Sequence, residues 1–282
     1  MNGERCSEIS LAAGESLAAT ATTAERWLLV EVPGSWPRDV SVAGALPDSA
    51  HDAVATWLDQ VSGSRLLFVR RPGRPVGRSL VFAIHAAEST TEVRRIELDH
   101  PADLAGVDFA CDGDPADRQL VLVCGHGSRD TCCALRGTAV YGALAERLGD
   151  EELWISSHQV GHRFAANILV LPAGLQFGRV DPDESALVVA RALAGRIGLD
   201  RYRGRTCYAS TVQAAEQAVR EARELEGVAD LRFAGVEGAL VRFRGWDGSE
   251  HAARVEELAG PSVPVSCGAD PEPQRAFSAQ IV

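Results

Sequence analysis

Lysine is absent from this 282-residue chain, and all 28 of its basic side chains are arginine. Together with the many Ala and Gly residues, this reads as a coding bias rather than a functional signal. Positive charge is also in short supply. Against 39 Asp and Glu residues the arginines leave a net charge of −11. Nucleic-acid binding normally needs a basic face, so that partner class is excluded, whereas a basic redox partner protein such as a reductase fits. No stretch approaches the roughly 18 apolar residues of a membrane helix. The start, MNGERCSEISLAAGESLAATATTAERW, lacks the charged opening and continuous apolar run of a secretory leader. There is one Met and no low-complexity tract. Cysteine is sparse and odd in number, seven over a long chain, which does not suggest a secreted disulfide framework. These absences point to the cytoplasm. The C-x-x-C of thioredoxin-type catalysis and the H-E-x-x-H of zinc proteases are both missing. No pair of carboxylates sits in the context of a sugar cleft.

What is present is punctuated by turns. Strand-like runs at 27–32 (WLLVEV), 65–70 (RLLFVR), 79–84 (SLVFAI) and 92–98 (EVRRIEL) bracket a helix over 49–60, with Val54, Trp57, Leu58 and Val61 on one side. The Pro- and Gly-rich segment 72–77 connects two of the strands. The acidic, turn-rich segment 99–118 predicts a boundary. Beyond it a second unit begins with strand 119–124 and a helix over about 132–148, which Asp130 would cap. Strand 152–156, a His-bearing loop, strand 167–171 and a hairpin return through 175–180 follow. Asp181-Pro182-Asp183-Glu184 opens another helix, with Leu187, Ala190, Ala194 and Ile197 at helical spacing. The element order β-α-β-loop-β-β-α is that of a thioredoxin-like domain. The first half, β-α-β-β-β, reads as a degenerate copy. In the tail, Ser210 and Gln213 suggest a capping box for a helix to about 225, in which Glu216 and Arg220 can pair. Strand-like runs at 230–234, 238–244 and 251–257 follow. The expected organisation is α/β (α+β): an N-terminal α/β domain over 1–110, a thioredoxin-like domain over 111–203 and a small α+β region over 204–282.

Chemistry concentrates in one place. Cys124-Gly-His126-Gly-Ser-Arg129-Asp130-Thr-Cys132-Cys133 and Ser157-His158-Gln-Val-Gly161-His162-Arg163-Phe164 put three Cys and three His inside 39 residues. Cys124 would end a strand. Cys133 would lie in the first turn of the next helix, where the dipole and free N–H groups favour a thiolate. His158 and His162 would follow the neighbouring parallel strand at the same end of the sheet, so two sulfurs and two imidazoles converge. That set suits either tetrahedral zinc or a 2Fe–2S cluster with two Cys on one iron and two His on the other. The spacing C-x₈-C is too wide for a zinc knuckle, which uses C-x₂₋₄-C. A structural Cys₂His₂ zinc protein acting as a partner-binding module is the alternative. A thiol enzyme using Cys132 and Cys133 is a third reading.

These two segments resemble the cysteine stretch and the SH-x-G-GH-[KR]-F-A-x-N stretch of the sucrase/ferredoxin-like family, a group of thioredoxin-like 2Fe–2S proteins. The resemblance extends to 20–35 and 202–214. It implies an electron carrier, more than an enzyme in its own right, with Cys124, Cys133, His158 and His162 as ligands of one 2Fe–2S cluster. Proton exchange at a ring nitrogen could accompany the redox change. Val160 departs from the family pattern, which has Gly there. Cys132 gives C-x₇-C and competes with Cys133. His126 imitates a Rieske C-x-H spacing, or is a polar loop residue donating a hydrogen bond. Arg129 and Arg163 would brace the cluster sulfurs or receive a partner's charge, or else be ordinary surface arginines or pair with Asp130. Asn167 would bond the loop backbone, and Phe164 would be core. Cys6, Cys111, Cys207 and Cys267 read as isolated, small buried thiols.

Overall fold

The run Trp27-Leu28-Leu29-Val30 is apolar at every position, so a strand made from it must be covered on both faces. In the computed structural model all four side chains are buried. The structure describes residues 5–42, 44–73, 77–149 and 151–282. The first half comprises α1 (Cys6–Ala12), β1 (Arg26–Glu31), α2 (Asp48–Gln60), β2 (Ser64–Arg70), β3 (Ser79–Ala86), β4 (Thr91–Leu98) and the two-residue β5 (Asp114–Pro115). Residues 74–76 of the Pro- and Gly-rich connection lie outside the described residues. The second half comprises β6 (Leu120–Cys124), α3 (Thr131–Ala145), β7 (Leu153–Ser156), β8 (Ile168–Leu171), β9 (Leu175–Phe177), α4 (Pro182–Leu193) and β10 (Tyr202–Arg205). The tail adds α5 (Ser210–Arg223) and a separate antiparallel sheet of β11 (Leu231–Glu237), β12 (Leu240–Gly245), β13 (Glu250–Pro264) and β14 (Pro271–Ile281).

The mixed α/β class read from the sequence is the one observed. In the first half β1 runs parallel to β2 and antiparallel to β3, and β3 pairs antiparallel with β4. In the second half β6 runs parallel to β7 and antiparallel to β8, and β8 pairs antiparallel with β9. The two halves thus have the same strand order and directions. They join where β2 meets β7 antiparallel through Val69↔Ser156 and Arg70↔Ile155. The result is a single ten-stranded sheet, β10-β9-β8-β6-β7-β2-β1-β3-β4-β5. The tail sheet packs on α5, whose Val212, Ala215 and Val219 form a core with Val241, Phe243 and Val255.

Three local expectations are corrected. In α4 the buried stripe is Ser185, Val188, Val189 and Ala192, while Leu187 is 58% exposed and Ile197 lies beyond the helix. The capping signature at its start is present, since the Asp181 N–H donates to Glu184 Oε1 at 3.0 Å. Ser210 is already inside α5, and Gln213 does not cap it. The Gln213 amide instead donates to Tyr208 O and accepts from the Ala21 N–H, tying the tail helix to the N-terminal segment. β14 was not expected: it starts Pro271-Glu-Pro273, but it is an edge strand, where prolines are tolerated. Among the described residues no helix is long and apolar enough to cross a membrane.

Candidate metal centre

Two parallel neighbours create the site. β6 and β7 pair in the register Cys124↔Ser156, so the loops that follow them leave the sheet side by side. α3 then lies directly on the end of β6. A Cβ on Gly137 would stand 2.0 Å from the Cys124 carbonyl oxygen, so only glycine allows this approach. Asp130 caps α3 as expected, its carboxylate accepting from the Cys132 N–H at 2.8 Å. This holds Cys133 in the first turn.

The His loop is fixed from several sides. The Ser157 N–H donates to Phe68 O at 2.7 Å, and Ser157 Oγ accepts from the Phe68 N–H at 3.0 Å. Val160 and Gly161 both take the left-handed conformation, with φ of 67° and 83°. At Gly161 a side chain would also strike Arg203 and Phe164. Val160 therefore reaches, with a β-branched side chain, the backbone region that Gly adopts freely. Arg203 sits below, fully buried. It donates to Val160 O, Asn167 Oδ1, Thr20 Oγ1 and Thr20 O, while Asn167 donates to Gly161 O. Burial lowers its pKa to about 9, which still leaves a cation at neutral pH. Phe164 is buried against this guanidinium, as its expected core role requires. Asn167 bonds the loop backbone as expected.

The structure brings the four predicted side chains together. Cys133 Sγ lies 3.4 Å from His162 Nδ1. Ligand atoms of Cys124, Cys133 and His158 lie within 4.8 Å of one another. The two imidazoles stack at 3.7 Å with 17° between their planes. His158 Nδ1 is buried without a hydrogen-bond partner, which in a native interior calls for an explanation such as a bound ion. A hydrogen bond from Cys133, reinforced by one from His158, holds the Cys124 thiol well below its usual range. Donating that bond pushes Cys133 up. His158 forms part of the wall of an open groove of about 260 Å³ that also contains Arg38, Arg65 and Arg129.

Burial lowers the His162 pKa from 6.5 to about 4. The folded site keeps this ring neutral, while the unfolded chain takes up a proton below pH 6.5. Stability from this group is therefore whole above pH 6.5 and is lost as pH falls toward 4. For the metal-free protein we expect a loss of roughly 2 kcal/mol between about pH 7.5 and pH 5 that His162→Gln does not show. Parallel denaturant curves for the two proteins at both pH values are the check, and equal losses would refute it.

Other expectations fare differently. His126 is not free to bind metal: Nε2 donates to Pro37 O at 2.8 Å and Nδ1 accepts from the His158 N–H at 3.2 Å. Arg129 donates to Arg38 O and makes no recorded bond to Asp130. Arg163 pairs with the buried Glu15 carboxylate at 2.7 Å, away from the sulfurs. Cys111 is exposed and Cys207 is only half-buried, so neither is a fully buried thiol. Cys6 and Cys267 are not isolated. Their sulfurs lie 3.7 and 3.3 Å from Cys132 Sγ. Cys6, Cys267, Glu15 and Arg203 were missed as neighbours of the site. They come from segments more than 35 residues from either motif, and nothing in local spacing connects them.

The matches to known proteins agree with this geometry. A family model, sucrase/ferredoxin-like, covers residues 17–204. The altered inheritance of mitochondria protein 32 of Meyerozyma guilliermondii is 35% identical over 98 residues, 30% of this chain and 34% of its own length. The protein of the same name from Eremothecium gossypii is 33% identical over 112 residues, 39% of this chain and 33% of its own length. The matched part thus spans about a third of those relatives. With two-thirds of its residues inside the family model and its paired Cys and His segments gathered at one end of the sheet, the chain belongs to the sucrase/ferredoxin-like family.

Proposed function

We propose that this protein is an electron carrier that holds one 2Fe–2S cluster on Cys124, Cys133, His158 and His162, carried on a thioredoxin-like unit. The observation that supports this most is that a ring nitrogen of His158 lies within 4.8 Å of two sulfurs, with a second imidazole stacked on the ring and its buried Nδ1 left without a hydrogen-bond partner. The donor set fits such a cluster: two Cys for one iron and two His for the other. Cys133 rather than Cys132 completes it, because only Cys133 Sγ faces His162. When bound, the cluster supplies a one-electron couple, with a potential above that of an all-Cys ferredoxin because neutral rings replace charged thiolates.

The protein's own groups do the rest. Asp130 and the start of α3 place a thiolate. Arg203 and Asn167 hold the His loop, and its charge offsets that of the sulfurs. Of the four side chains only His158 is partly exposed, so electrons and protons enter at that ring through the arginine-lined groove. A reducing compartment such as the cytoplasm suits seven unpaired thiols.

The test is the full chain purified without oxygen. We expect a coloured protein with about two irons and two sulfides. The reduced protein should pass electrons to ferricyanide, an anionic oxidant, at a rate that falls as salt screens the groove arginines. A colourless protein with zinc at this site and no sulfide would overturn the reading in favour of a structural zinc module.

A further inference from the structure

Cys132 was expected to compete with Cys133 as a ligand, or to pair with it as a reactive thiol. The Cys132 sulfur meets two others from opposite ends of the chain: Cys6 on α1 and Cys267 in the turn between β13 and β14. The three Sγ atoms stand 3.7, 3.3 and 3.6 Å apart. The Asp130 carboxylate closes the group, with oxygens 3.8 and 3.9 Å from Cys6 Sγ and 3.5 Å from Cys267 Sγ.

These separations are those of a coordination shell. With Zn–S near 2.3 Å and Zn–O near 2.1 Å, a tetrahedron has edges of about 3.8 Å between sulfurs and about 3.6 Å between sulfur and oxygen. The carboxylate is aimed by main-chain donors. The Cys132 N–H donates to Oδ1 at 2.8 Å and the Cys267 N–H to Oδ2 at 2.7 Å, which leaves further lone pairs for a metal. Ser7 Oγ donates to Cys132 Sγ at 3.2 Å, a bond suited to a thiolate. Cys6 and Cys132 are fully buried, and Asp130 and Ser7 nearly so. Among the described residues no arginine pairs with Asp130. Its charge is met instead by those two N–H groups and by the start of α3, where it is the capping residue. A disulfide would join only two of the three sulfurs and leave the third and the carboxylate unused.

We propose that Cys6, Cys132, Cys267 and Asp130 form a second metal site that holds a single zinc ion and adjoins the cluster site, since a carboxylate oxygen of Asp130 also lies within 4.8 Å of Cys133 Sγ and a His162 ring nitrogen. Each thiol gives up its proton to solvent on binding. Three thiolates and a carboxylate around Zn²⁺ carry a net charge of −2, which the Cys132 and Cys267 N–H groups and the N-terminus of α3 offset. Zinc prefers a closed four-ligand shell for structural work, and this shell is closed. The ion ties α1 and the tail hairpin to the first turn of α3, one residue from Cys133. Its role is to hold these three chain segments together, not to take part in electron transfer.

The experiment measures zinc and iron separately on the full chain, prepared without oxygen from zinc-supplemented medium and desalted. About one zinc per chain is expected. In Cys6→Ser/Cys267→Ser zinc should fall at least about tenfold, with the iron, the sulfide and the visible spectrum kept, because neither residue faces the His pair. In Cys124→Ser the iron should be lost and the zinc kept. Three results would each overturn the proposal: reduced wild-type protein without zinc, zinc unchanged in the double variant, or a disulfide between two of the three cysteines in the oxygen-free sample. Loss of the cluster with zinc retained at this site would count against the proposed function alone.

Discussion

Cys133→Ser should yield a protein with less than about a tenth of the wild-type iron, while Cys132→Ser keeps its iron and its colour. The two residues are adjacent, yet consecutive side chains at the start of α3 point about 100° apart. Cys133 Sγ therefore reaches His162 Nδ1 at 3.4 Å, and Cys132 Sγ reaches Cys267 Sγ at 3.3 Å. A serine at 133 offers a hard oxygen that holds its proton far more tightly than a thiol and is a poor iron ligand. A serine at 132 leaves the four proposed cluster ligands untouched and weakens only the proposed second site. Iron and sulfide analysis of the two variants decides this, and the reverse pattern would mean that the ligand assignment is wrong.

Arg203→Met should lower the unfolding free energy by about 3–5 kcal/mol. Methionine restores most of the volume but none of the hydrogen bonds. The Asn167 side-chain oxygen is then buried with a partner missing, at about 1–3 kcal/mol, and the half-buried carbonyls of Thr20 and Val160 each lose a charged donor. Arg203→Lys should recover little, since a single ammonium cannot span acceptors that a planar guanidinium forks between. Iron retention should drop in both variants because the His loop rests on this side chain. Denaturant unfolding is the check. A loss under about 1 kcal/mol for Arg203→Met would mean that water replaces the guanidinium and that the loop is held otherwise.

Much of this was legible in the sequence where the information is local. The apolar runs at 27–30 and 120–123 become central strands, Asp130 caps α3, and the Asp181/Glu184 pattern marks the start of α4. The gathering of Cys124, Cys133, His158 and His162 followed from one topological rule, that parallel neighbours send their loops to the same end. What could not be read depended on distant chain. The Cys6–Cys132 and Cys132–Cys267 contacts span 126 and 135 positions. No periodicity encodes them. Gln213 looked like a helix cap because its spacing from Ser210 is right, but its amide found better partners in Ala21 and Tyr208 once the N-terminal segment folded over it. Leu187 misled in a similar way: helical spacing fixes which residues share a face, and not which face turns inward.

The short seam between β2 and β7 has a consequence for how the chain can be divided. All four residues of β7, Leu153-Trp154-Ile155-Ser156, are buried, and the strand has β6 on one side and β2 on the other. A fragment that kept only the second half, with the paired Cys and His segments, would bare the β2-facing side of this apolar strand to water. Unpaired N–H and C=O groups on an apolar strand recruit other chains, and the fragment would gather into edge-to-edge aggregates. The first half thus acts as a permanent cover for a sticky margin. Selection on solubility alone would retain it.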